Sequence, residues 1–340
     1  MIQVLLLLGA CKNSLLPAEP FPVPETTPST SPPVTDTDPG TPGDTTDSGA
    51  PPTGTETGGI PMIAADCKAL LPIPAEYEVL PWTSGSEDFA LDLEGNHVGV
   101  VGGTLFETPY GGTKQPVAPG LSDSIRGSRI LADGTVVLSD PEHQTIVGVD
   151  PDTGSNWVIA AGVENPNGIA IGADGWIYAA LTGSIARFDP ATGDRETVAD
   201  MPGNSFDGLT FMPDYKTLFF DEEFGQVWKV TFDDDNNPSE PILGPDLPLG
   251  GFSILDGMTA DACYNLYVVE MNGTVWRASP DGTVDVALDV SGFASTSAAN
   301  FGSGIGGWDA NTLYVSDFLT KTYAVSLGVP GKWEPYMGGY

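Results

Sequence analysis

The chain has 340 residues, and 46 Asp and Glu against 12 Lys and Arg leave a formal charge of −34. So acidic a surface repels phosphates and anionic headgroups, which excludes an electrostatic nucleic-acid binder. Forty-three glycines, 31 prolines and 40% hydrophobic residues fit a turn-rich β protein with a sizeable core, and three cysteines are too few for a disulfide-built fold.

The first residues form an apolar run that ends Leu8-Gly9-Ala10-Cys11. It falls far short of the roughly 20 residues needed to cross a bilayer. The four residues resemble a bacterial lipobox, which implies cleavage after residue 10 and a lipid on Cys11; the basic segment usual before such a run is missing. Lys12 in place of an Asp points, through the same resemblance, to the outer membrane of a Gram-negative cell envelope. Residues 12–60 hold 11 Pro and 11 Thr, a composition that cannot bury enough apolar surface to offset its ordering entropy. The expected organisation is a signal segment over 1–10, a lipidated cysteine with a disordered linker over 11–62, and a folded domain over 63–340. Contact with membrane is expected only through the lipid. Cys67 and Cys263 are a candidate disulfide for an exported protein, with two buried free thiols as the alternative.

Beyond the linker the sequence repeats itself. Residues 167–193, 207–235 and 256–282 share one plan, in which Asn-Gly or Asp-Gly opens a short apolar strand and further strands follow across Gly, Asp, Asn or Pro turns. Weaker copies begin near Glu87, Arg126 and Gly302, giving spacings of 39, 41, 40, 49 and 46 residues. No helical periodicity intervenes. A single copy cannot bury both faces of its small sheet, whereas sheets stacked radially can. The expected fold is all-β, a six-bladed β-propeller, and a closed propeller needs no partner copy, so a monomer is expected.

In a propeller, equivalent positions at the start of each innermost strand line the axial channel near one mouth. Aligning the copies places Glu87, Arg126, Asn167, Asp207, Asp256 and Gly302 in that slot. Four are oxygen donors, and the three carboxylates would repel one another without a cation among them. Oxygen ligands without Cys or His select Ca²⁺, or Mg²⁺ or Mn²⁺, over softer metals.

From about residue 85 to the end, the chain resembles the senescence-marker-protein (regucalcin) and gluconolactonase-like propellers. Asp256-Gly-Met-Thr-Ala-Asp with Asn-Leu-Tyr-Val, Asn167-Gly, Asp207-Gly-Leu, Glu87 and the ending Leu327-Gly-Val-Pro-Gly carry the likeness. The resemblance implies that Glu87, Asn167, Asp207 and Asp256 hold a divalent cation that polarises a lactone carbonyl. Two departures stand out. Asp207 occupies a position where the family usually has Asn, and residues 163–167 lack the family's substrate-binding arginine, for which Arg126 on the neighbouring repeat is the substitute candidate. Asp256 or Asp207 would then serve as general base. Two functions follow: a surface-tethered, cation-dependent lactonase or ester hydrolase, or a non-catalytic propeller that binds a protein or glycan with a structural metal.

Other signals are expected to be structural. Asp140, Asp221, Glu270 and Asp317 recur after second strands and read as turn caps. Gly302-Ser-Gly304-Ile-Gly-Gly307 spells a dinucleotide fingerprint but precedes a strand, and Asp233-Asp-Asp-Asn-Asn237 reads as a hairpin tip because Pro238 takes the glycine position of a calcium loop. His97 and His143 lie outside the slot, and Trp176, Trp228 and Trp276 read as packing between sheets.

Overall fold

A computed structural model describes residues 61–338 apart from 62, 84, 252, 291–294 and 320, all within the compact unit Thr57–Tyr340. The expected signal segment, Cys11 and nearly all of the linker lie outside the described residues.

Among the described residues, twenty-two antiparallel strands, most of them short, carry the alternation of apolar runs and turns. The innermost are Phe89–Leu91, Ser128–Ile130, Ile169–Ile171, the C-terminal part of Arg195–Phe211, Leu255–Ala260 and Thr296–Phe301. Each packs beside the next and the last returns to the first, so six inner strands close a ring about one axis. The pairing nevertheless gives five sheets rather than the six separate blades expected, four of four strands and one of six. The cause is one 17-residue strand, Arg195–Phe211. Its first half pairs with Ile177–Phe188, and from Phe206 onward it pairs with Thr217–Glu222. The outer edge of one repeat thus runs unbroken into the inner strand of the next, where the sequence plan expects a turn.

Closure uses both ends of the domain. Tyr77–Leu80 pairs antiparallel with Lys321–Ser326, so an N-terminal strand completes the sheet made by the C-terminal repeat. Thr83 Oγ1 donates to Leu80 O, 2.9 Å, and lies 2.7 Å from Thr322 Oγ1 across that junction. Upstream, Cys67 is joined to Cys263 in the turn between Leu255–Ala260 and Leu266–Glu270. The core lies between adjacent sheets, where Trp308, Tyr178, Tyr267 and Tyr314 are the largest buried side chains. Trp176, Trp228 and Trp276 are partly buried against the same clusters, as packing residues are.

At the ends of the inner strands the C-terminal segment closes the channel. Gly331 bridges to Asp261, and a Cβ on it would meet Phe301 Cβ at 2.4 Å. The Lys332 amide donates to Ala260 O, 3.1 Å, and only about 30 Å³ remains between the segment and the strands above it.

Candidate functional site

At the starting ends of the inner strands, close packing explains the X-Gly pattern of the repeats. A Cβ on Gly127, Gly168, Gly208 or Gly257 would lie 2.5, 2.3, 2.1 or 2.6 Å from the carbonyl oxygen of Asn167, Asp207, Asp256 or Ser297. Backbone that close leaves no room for a side chain. The Gly168 amide donates to Asp207 O at 2.9 Å, so neighbouring strands are locked together there. The residue before each glycine is thereby carried to the axis, in the order Arg126, Asn167, Asp207, Asp256.

Ser297 continues the series, and its hydroxyl donates to Glu87 O. The sixth position is therefore Ser297 and not Gly302, which follows the other end of the same strand against Asp309. Aligning that repeat on its only turn signal shifts it by five residues, because an extended loop replaces the usual short turn.

Glu87, Arg126, Asn167, Asp207 and Asp256 come to one mouth of the channel. Asn167, Asp207 and Asp256 are buried, and Glu87 and Arg126 are half-buried. Burial pushes Glu87 up to about 7, with Arg126 opposing the rise and Asp88 adding to it. Asp207 and Asp256 lie well above the usual carboxylate range, chiefly through burial. Repulsion from Glu87 adds to the rise at Asp207, partly offset by Arg126, while Asp207 and Glu87 add to it at Asp256. The space among the ring residues is about 10 Å³, close to the volume needed for one water-sized occupant.

Two further carboxylates belong to this mouth. Asp88 occupies the position that is glycine in four of the other repeats, and it is 9% exposed. Its Oδ1 accepts the Phe89 amide at 2.8 Å, and its Oδ2 accepts the Ser128 amide at 3.0 Å and Arg129 Nη1 at 2.7 Å. Burial raises its pKa, against the pull of Arg129 and these hydrogen bonds. Asp221 is fully buried and is not a turn cap: Oδ1 accepts the Gly208 amide at 3.0 Å, and Oδ2 has no partner. Burial and then Asp207 hold its carboxyl well above the usual range. Ser139 fills the same role two repeats earlier, its Oγ accepting the Gly127 amide at 2.6 Å. That shared place one pair inside the strand end separates Asp221 from Asp140 and Glu270, which stand in the last pairs. Asp140 does cap its turn, its Oδ1 accepting the His143 amide at 3.2 Å, whereas Glu270 does not, its carboxylate accepting from the Ser253 hydroxyl and the Trp276 indole instead.

The ring residues fit a hard divalent cation in donor chemistry. All their side-chain donors but Arg126 offer oxygen, three of them as carboxylates, with Glu87 close enough to raise the pKa of both Asp207 and Asp256, and the buried Asp221 Oδ2 beside them has no partner. Among the described residues no three His, Cys, Asp or Glu side chains are drawn together as a ready-made ligand group. His97 and His143 stay away from the axis: His97 is buried in a stack on Phe89, ring centroids 4.6 Å apart, and His143 is an exposed partner of Asp140. The 233–237 segment is a hairpin tip closed by Asp233.

No protein-family model matches the chain, and no curated protein matches it in sequence. Solved structures do match in fold. A calcium-binding protein, regucalcin, from Agrobacterium tumefaciens is 18% identical, with a TM-score of 0.62 over 76% of this chain and 96% of that one. A gluconolactonase from Xanthomonas campestris is 16% identical, with a TM-score of 0.61 over 80% and 97%. A virginiamycin B lyase from Staphylococcus aureus is 15% identical, with a TM-score of 0.53 over 74% and 98%. One architecture thus serves different chemistries, so function must be argued from the site. The chain has the fold of the gluconolactonase-like and regucalcin-like propellers.

Proposed function

We propose that the acidic mouth binds one hard divalent cation, Ca²⁺ before Mg²⁺ or Mn²⁺, and hydrolyses a lactone or related ester above it. The observation that carries this reading is the convergence of Glu87, Asn167, Asp207 and Asp256 on one mouth, where burial raises all three carboxylates and Glu87 adds to the rise at both aspartates. Those four residues would hold the cation, which when bound polarises the carbonyl under attack. Asp256 or Asp207 takes the proton from the attacking water and returns it to the leaving alkoxide, so that lactone and water give a hydroxy acid. Arg126 orients the substrate from the rim. The fold neighbours named for gluconolactonase and for calcium binding support the same reading.

The small space within the ring favours a second reading. About 10 Å³ accommodates a cation but no part of a lactone, which suits a propeller whose metal is structural and whose face binds a protein or glycan. In either case Cys11 would tether the domain to the cell envelope as a monomer.

Thermal unfolding of the full chain in EDTA and in millimolar Ca²⁺, Mg²⁺ or Mn²⁺ tests the site. A cation at 100 times its Kd stabilises by about 2.7 kcal/mol, and the shift should vanish in Asp207→Ala and Asp256→Ala. A panel of small lactones and esters then tests catalysis. Turnover lost in Asp256→Ala and Glu87→Ala supports the hydrolase, and background rates throughout leave the binding propeller. No shift with any cation rejects both readings of the metal.

A further inference from the structure

A second cavity, of about 560 Å³, lies at the opposite end of the inner strands. Its volume falls in the range of small-molecule sites. The wall is largely apolar and includes Ile63, Ile305, Pro330 and Met337, and part of it is the Gly302–Gly307 run whose spelling suggested a dinucleotide. Two polar residues interrupt that wall, Ser303 and Lys332.

Both have unused hydrogen-bonding capacity. Ser303 is 7% exposed, and its Oγ is buried without a partner, a state that is costly unless a ligand supplies the missing bond. Lys332 is 5% exposed, and its ammonium gives two of three N–H groups to Glu334 Oε1 and Tyr215 Oη. Burial, with Arg129 adding to it, keeps the lysine below its usual pKa even though Glu334 pulls the other way. One N–H of the paired ammonium remains to be given.

We propose that this cavity binds a small amphipathic monocarboxylate, its apolar tail against Ile305, Pro330 and Met337 and its carboxylate shared by Ser303 Oγ and Lys332. An apolar wall with one hydroxyl and one cation complements an aliphatic or aryl acid, whereas it would leave a cationic amphiphile facing Lys332. The site is separate from the axial carboxylates and does not depend on what they bind.

Calorimetric titration of the full chain with octanoate, octanol and octyltrimethylammonium tests the proposal. Octanoate should bind saturably at one site, at least tenfold tighter than octanol, with the same affinity in EDTA and in Ca²⁺. Ser303→Ala removes only an unpartnered hydroxyl, so folding should be unaffected while octanoate affinity falls about tenfold. Ala310→Trp fills the cavity and should abolish binding while the thermal transition stays cooperative. Equal binding of octanol, tighter binding of the cation, an unchanged affinity in Ser303→Ala, or no saturable binding would each overturn it.

Discussion

The two ends of the six inner strands treat charge in opposite ways. At the starting ends Glu87, Asp207, Asp221 and Asp256 crowd together, with Arg126 as the nearby cation and with one carboxylate oxygen left without a partner. At the finishing ends Lys332 is held by Glu334 and Tyr215, and Tyr215 Oη in turn donates to Trp333 O at 2.7 Å. Buried charge that is paired holds a fold together, while like charges buried together weaken it until something neutralises them. The closed mouth is therefore read as structure, and the acidic mouth as a place where stability is given up for binding.

Substitutions at the two ends should consequently have opposite signs. Lys332→Met leaves the Glu334 carboxylate without its cation, with only the Tyr215 hydroxyl beside it, and should destabilise by about 3 kcal/mol in urea unfolding. A loss below about 1 kcal/mol would mean that the closed mouth does not depend on its ion pair. His97 gives the next effect. It lies opposite Leu91 near the finishing end of the first inner strand, buried with Nε2 unpartnered, and burial pushes its pKa down to about 3. The unfolded chain accepts a proton that the folded chain refuses, so stability is lost as pH falls from 6.5 toward 3. That amounts to about 2 kcal/mol at pH 5. His97→Phe should flatten that part of the pH profile, and an unchanged slope would assign the acid sensitivity elsewhere. The smallest effect has the reverse sign. In EDTA at pH 7, Asp256→Asn should stabilise by about 1–2 kcal/mol, because it removes a buried carboxylate from among its like. Destabilisation there would show that the mouth is already neutralised and would erase the contrast.

Much of the architecture was legible because the repeat is a local property: X-Gly, a short apolar strand, a turn. The same pattern identified Glu87, Arg126, Asn167, Asp207 and Asp256 as residues of one mouth, since the glycine behind four of the six axial positions answers a steric demand that every copy shares. Where a repeat meets that demand differently, the alignment fails. Asp88 stands in the glycine position and carries no repeat signal of its own; Ser297 is followed by alanine, so the glycine that marks its repeat is Gly302, five residues on. Asp221 shares its spelling with turn caps but sits one residue deeper, which strand register alone decides. The merging of two repeats into one sheet depends on a strand that continues past Met201 and Pro202, where sequence signals a break.

The placing of the disulfide has a mechanical consequence. The strand that closes the ring, Tyr77–Leu80, follows Cys67 in the chain, and Cys67 is covalently joined to Cys263. A pull applied from the N-terminal side of Cys67 passes through the sulfur bridge into the Leu255–Glu270 hairpin before it reaches Tyr77–Leu80. The closing strand would otherwise be sheared from its neighbour by such a load. With the bridge intact it is mechanically shielded, and under reducing conditions the same force would fall on the Leu71 and Ala75 backbone bonds and then on four residues of hydrogen-bonded pairing.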